Sequence, residues 1–194
     1  MARSMKNHNR ATRRIMRLGR LAAEAANSTV WCDPMIDAEW QDVIACFFPE
    51  WRHVVGRRDV RVFVAEHAVN DECGEVDGFA YSGQPLVVLD ASVVNDGLAV
   101  CRATLVHEGV HIVCGYCAIR SRIDVSALEQ MCSHGPVWGH RMALAARLAH
   151  HRGENELAEL LWQDAEDARH HWNDVGPEIT EILGGMPESR PWFG

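Results

Sequence analysis

Several absences narrow this chain before any motif is read. No apolar run reaches about 18 residues, so no transmembrane helix is expected. The N-terminus is basic, but Leu21-Ala22-Ala23-Glu24-Ala25-Ala26 is short and carries a glutamate, so no signal peptide is expected. The seven cysteines, Cys32, Cys46, Cys73, Cys101, Cys114, Cys117 and Cys132, are odd in number and irregular in spacing. They make no disulfide framework and point to reduced thiols in a cytoplasmic setting. Only Cys114-Gly115-Tyr116-Cys117 forms a Cys-x-x-Cys pair, and a structural zinc site of that type needs a second pair. Two small residues packing a helix end explain the pair as well. The acidic stretch Asn70 to Gly78 lacks the ligand order and closing glutamate of an EF-hand, which leaves a solvated loop. There is no internal repeat and no low-complexity segment.

What is present is ordinary in amount and uneven in placement. Hydrophobic residues make up 47% and charged residues 24% of the 194, enough to bury one core. The first twenty residues hold Arg3, Lys6, Arg10, Arg13, Arg14, Arg17 and Arg20 and no acid. The remainder carries 12 basic against 27 acidic residues, a net of −15. An acidic body should not bind nucleic acid broadly. Residues 1–20 are the one stretch able to meet DNA or a DNA-bound protein, or else are a solvated helix end. The organisation expected is a basic arm and helix over 1–30, one domain over 31–175 and a tail over 176–194.

Periodicity sets the elements. A helix is expected over Thr12–Ala26, a break at Trp31-Cys32-Asp33-Pro34, and a helix over Ala38–Phe48 capped by Asp37. Val60–Ala65, Gly78–Ser82 and Pro85–Asp90 read as strands. Helices follow over Gly97–Gly115, from about Pro136 to Ala149, and over Glu154–Trp172 with Leu157, Leu160, Leu161, Ala165 and Ala168 inward. Between them, 118–133 reads as a loop with a short helix over Val125–Met131. The tail holds a turn near Glu178–Leu183. Clustered strands flanked by helices give an α+β class, with a small antiparallel or mixed sheet.

The chemistry concentrates in Thr104-Leu105-Val106-His107-Glu108-Gly109-Val110-His111. Residues four apart share a helix face, so His107 and His111 can point at one metal ion, and Glu108 can reach its water. Apolar Leu105, Val106, Val110, Ile112 and Val113 surround the trio, which reads as a buried helix with a polar stripe. A core helix whose histidines find backbone partners is the plainer alternative, at a heavy desolvation cost.

A catalytic zinc takes three protein ligands and leaves a place for water. Candidates for the third are His134, His140, Glu129 and Cys117. Ser133 and Gly135-Pro136 let the chain turn sharply into a helix beside His134. His140 stands about 120° around that helix from His134, so both do not readily face one ion.

Thr104-Leu105-Val106-His107-Glu108-x-x-His111, followed by His134-Gly135-x-x-Trp138, resembles the SprT-like metallopeptidases, which include the Spartan proteases. The likeness covers roughly residues 35–150. It implies a zincin-like fold, His107, His111 and His134 as zinc ligands, Glu108 as general base, and Trp138 as an aromatic behind the ligands. Departures are the long gap over 118–133, Val137 and Gly139 in place of more polar residues, and the absence of the family's zinc-ribbon tail. The expected activity is zinc-dependent hydrolysis of a protein or peptide substrate, with no membrane partner. Tyr116, His140 and Arg141 are candidates to steady an oxyanion. The rival readings are a catalytically silent structural or adaptor domain, with Cys114 or Cys117 closing the metal shell, and nucleic-acid association through residues 1–20.

Overall fold

A computed structural model describes residues 2–56, 59–70, 74–81, 85–121 and 134–175. The expected short helix at 125–131, Glu129, Ser133 and the tail from 176 lie outside these residues. In chain order the elements are α1 (Ala2–Ala26), β1 (Val30–Trp31), α2 (Pro34–Phe47), α3 (Trp51–Val54), β2 (Arg61–Ala65), β3 (Val69–Asn70) and β4 (Gly74–Glu75). They continue with β5 (Gly78–Tyr81), β6 (Leu86–Asp90), α4 (Ala91–Asn95), α5 (Leu98–Ser121), α6 (Pro136–His151) and α7 (Asn155–Val175).

The α+β expectation holds, and the sheet is mixed. Four strands lie in the order β1-β2-β6-β5. The β2–β6 pair is parallel, with Arg61 opposite Leu86 and Ala65 opposite Asp90, while β1 and β5 run antiparallel to their neighbours. Strand residues alternate faces. Val62, Val64, Val87 and Leu89 join the main core beneath α2 and α5. Phe63, Ala65, Leu86 and Val88 join a second cluster with Leu18, Ala22 and Ala26 of α1. Burial on both faces explains why β2 and β6 read as nearly unbroken apolar runs. Arg13, Arg17 and Arg20 of α1 stay exposed, and Arg14 donates to the carbonyl of Asp59.

Four local expectations are corrected. Asp33, not Asp37, caps α2: its Oδ1 accepts from the Met35 amide at 2.8 Å, and Pro34 opens the helix. Pro at the first position loses no bond, since that N–H has no intrahelical partner. Asp37 instead pairs with Arg61 at 3.3 Å, tying α2 to the sheet. The break at Trp31 hides β1, two edge residues pairing with β2. Two residues of the acidic loop, Gly74 and Glu75, pair with Val69 and Asn70 as the β3–β4 hairpin. Helix α5 does not end at Gly115 but runs to Ser121, so Cys114 and Cys117 sit within it; Cys114 is buried in the core.

Helix α5 crosses the middle of the fold. Leu105, Val106, Val110, Ile112 and Val113 are fully buried. Over Leu98–Cys117 it is long and apolar enough to cross a membrane by length and composition, but 61% of that stretch is buried inside the fold. Arg102 on α5 reaches Glu39 at 2.9 Å and Asp42 at 2.8 Å on α2, and Glu154 at 3.4 Å ahead of α7. Planar guanidinium suits such a multi-carboxylate clamp.

Two glycines set how closely elements approach α5. A Cβ on Gly109 would lie 2.5 Å from Phe48 Cε2, and one on Gly78 would meet Val88 O at 2.9 Å and Thr104 Cγ2 at 3.2 Å. The glycine inside the His-Glu-Gly-Val-His motif is therefore the contact between α5 and the ring that follows α2. Gly109→Ala is expected to lower stability by about 1–3 kcal/mol through overpacking, and Phe48→Leu in the same chain should recover part of the loss. Urea unfolding of the single and double variants measures both.

Candidate metal centre

His107 and His111 lie one helical turn apart on α5, with ring centroids 5.0 Å apart. His134 arrives from the other side. Its φ is +57°, in the left-handed region that a side chain rarely adopts. Extended Gly135 then caps α6, and Pro136 is its first residue. This turn swings the imidazole of His134 back over α5, where its centroid stands 5.0 Å from both other histidines. One ring nitrogen from each of His107, His111 and His134 lies within 4.8 Å of the others, and the group could hold a metal ion.

The finer geometry fits that role. His107 Nε2 and His134 Nε2 are 3.0 Å apart. Two nitrogens each ~2.0–2.1 Å from one tetrahedral ion stand about 3.3 Å apart, so a small shift admits the ion. The other nitrogen of His107, Nδ1, is 3.0 Å from Asp164 Oδ2 on α7. A carboxylate on the far nitrogen fixes the ring and its tautomer, leaving Nε2 to bind. Trp138 of α6, 1% exposed, packs against all three imidazoles at 4.6, 5.5 and 4.5 Å. It meets the His107 and His134 rings edge-on and the His111 ring at a shallower tilt of 31°. Imidazole ligands suit zinc, copper, iron and nickel, so the donor set alone does not choose the ion.

Glu108 is the buried acid of the core, 3% exposed. Its Oε2 is fully buried with no hydrogen-bond partner among the described residues, and its Oε1 lies 4.0 Å from His107 Nε2. Burial pushes its pKa up to about 7, against opposing pulls from His107 and a backbone hydrogen bond from Ala80 of β5; Asp164 adds to the rise. For His107, burial works against the charged form. The Asp164 hydrogen bond and the nearby charges of Glu108, Asp164 and Asp77 outweigh it and raise the pKa. An acid this buried with one orphaned oxygen needs a partner in the cleft, which a water or a bound ion supplies.

Of the four residues weighed as third ligand, His134 joins the cluster. His140 is exposed on α6 and Cys117 half-buried on α5, both outside the histidine group; Glu129 lies outside the described residues. Tyr116 is buried in the core, and Arg141 is ion-paired with Glu50. Asp164 is the site residue that sequence reading missed. It follows Leu160 by four and precedes Ala165 on the inward stripe of α7, so an acid on that stripe was the available signal.

The site lies in a cavity of about 860 Å³ whose lining includes Asp77 and Gly78 at the start of β5, Asp90, Thr104, His134 and Asp164. Comparison of the chain with family models, with curated proteins and with solved structures returns no match.

Proposed function

We propose that the chain is a zinc-dependent endopeptidase of the SprT-like kind. One observation carries the reading: three imidazoles converge within 4.8 Å, and the buried carboxylate of Glu108, with an unpartnered oxygen, stands beside them. His107, His111 and His134 would hold the ion. Zinc, when bound, supplies Lewis-acid polarisation of a carbonyl and makes water a stronger nucleophile near neutral pH.

The chain's own residues do the rest. Glu108 takes the proton of the attacking water and returns it to the leaving amine. Its position next to a ligand on one helix keeps those two sites within a single turn. Asp164 holds the His107 ring, and Trp138 keeps all three imidazoles from rotating. Strand β5 lies at the end of the sheet order, so no strand adds to its outward edge among the described residues. An extended peptide can add there by main-chain hydrogen bonds, passing the Ala80 amide beside Glu108.

The test is metal removal and return. The full chain, stripped with a chelator, should lose cleavage of an unfolded protein substrate, and stoichiometric zinc should restore it. Zinc binding to the three histidines without any hydrolysis across a broad peptide library would favour the silent-domain reading.

A further inference from the structure

The described lining of the cleft carries Glu75, Asp77, Asp90, Glu108 and Asp164, and no lysine or arginine. Three of these carboxylates are committed. Asp90 accepts from the Ala68 amide at 2.6 Å, and from the Ser92 amide and hydroxyl at 2.8 and 2.6 Å. Asp164 holds His107, and Glu108 is the buried acid beside the histidines. Glu75 and Asp77 remain. Both are exposed, and neither side-chain carboxylate has a hydrogen-bond or ion-pair partner among the described residues.

Their place is fixed by backbone. The Val76 amide donates to Ala68 O at 3.0 Å, and the Asp90 amide donates to Asp77 O at 2.9 Å. Gly78 pairs with Leu89, so Asp77 stands at the head of β5. Ala80, whose amide meets Glu108, is three residues along, about 10 Å at strand spacing. The other titratable group lining this part of the cavity is His67, beside Asp90. Zinc, when bound, would add positive charge at the histidines, so the attraction for an entering cation is strongest away from them, at Glu75 and Asp77.

We propose that this cleft selects a cationic side chain, lysine or arginine, within about three residues of the scissile bond of an extended peptide, and that Glu75 and Asp77 are the residues that read it. The inference rests on the peptidase reading above. Glu108 Oε2, buried and unpartnered, opens on the same cavity and marks it as one that a ligand enters. Two exposed carboxylates give a moderate preference, and like-charge repulsion against an acidic peptide widens it.

The experiment separates binding from turnover. Zinc-loaded Glu108→Gln chain is titrated with fluorescent decapeptides that differ only in carrying lysine, glutamine or glutamate at the variable positions. The lysine peptide is expected to bind about 10-fold more tightly than the glutamate peptide at low salt, and the ratio should shrink toward about 2-fold in half-molar salt. Adding Glu75→Gln and Asp77→Asn should cut the ratio to about 3-fold, and Glu75→Lys with Asp77→Lys should reverse it. The single changes give the same reading should the double change impair folding, and zinc stoichiometry reports on the fold in each variant. Equal affinity for the three peptides, or a full preference surviving both neutralisations, overturns the proposal. Cleavage by the unsubstituted chain without charge preference overturns it while leaving the peptidase reading intact. Charge-selective binding with no cleavage of any peptide does the opposite.

Discussion

Glu108→Gln is expected to keep its metal and lose turnover by about 10²–10⁴-fold, the range that general-base removal produces. The amide is nearly isosteric with the carboxylate it replaces, so the buried space beside His107 stays filled. It can still accept the hydrogen bond from Ala80, because one of its two polar atoms is an oxygen. It cannot take a proton from water. The variant therefore isolates the chemical step from the assembly of the site. Peptide hydrolysis followed at saturating substrate, alongside zinc content by mass spectrometry, reads the two quantities separately. Full turnover in the presence of bound zinc would assign the base elsewhere. Loss of zinc together with turnover would mean that Glu108 supports the metal rather than the reaction.

His134→Ala is expected to weaken zinc binding by about 10²–10³-fold. Four-ligand structural sites bind zinc with roughly 10–16 kcal/mol, so one ligand accounts for a few kcal/mol. The alanine also inherits the left-handed φ of +57°, so the substitution does not relax the turn. Neighbouring variants grade the effect. Asp164→Asn should cost about 10-fold, since it weakens the hold on His107 without removing a ligand. His140→Ala, at an exposed position outside the cluster, should leave affinity as it was. Competition against a chromogenic zinc chelator measures all three. Normal affinity in His134→Ala would remove this residue from the metal shell and, with it, the main support for the SprT-like resemblance.

Those elements that announce themselves through local pattern were legible from residues alone. Val60–Ala65 and Pro85–Asp90 carry branched apolar runs, and β2 and β6 stand there within a residue or two. The His-Glu-x-x-His spacing places two imidazoles and an acid on one helix whatever the rest of the chain does. His134 could be favoured because Gly135-Pro136 signals a sharp turn. What escaped depends on partners distant in sequence. Asp164 is one of 27 acids, and only the packing of α7 on α5 brings it 57 positions back to His107. The reach of α5 past Gly115 was hidden because a buried glycine is tolerated in a helix that packing holds from both sides. Asp33 and Asp37 are equally good caps by type, and Pro34 decides between them only once the helix start is seen. The two-residue β1 is too short to have a period.

The packing of α6 on α7 bears on how the site fails. Gly139 brings these helices close enough that a Cβ there would stand 3.3 Å from Ala168 Cβ, so the pair behaves as one piece. His134 leads into the first of these helices and Asp164 sits on the second. Both therefore reach His107 from the same body, and α5, wedged against Phe48 at Gly109, is the other. The candidate metal centre would then have in effect one mechanical coordinate, the distance between these two bodies. Drawing the helical pair back removes the third imidazole and the carboxylate that orients the first in a single motion. What would remain on α5 is His107 and His111, one helical turn apart, without the third imidazole and without the carboxylate that orients the first.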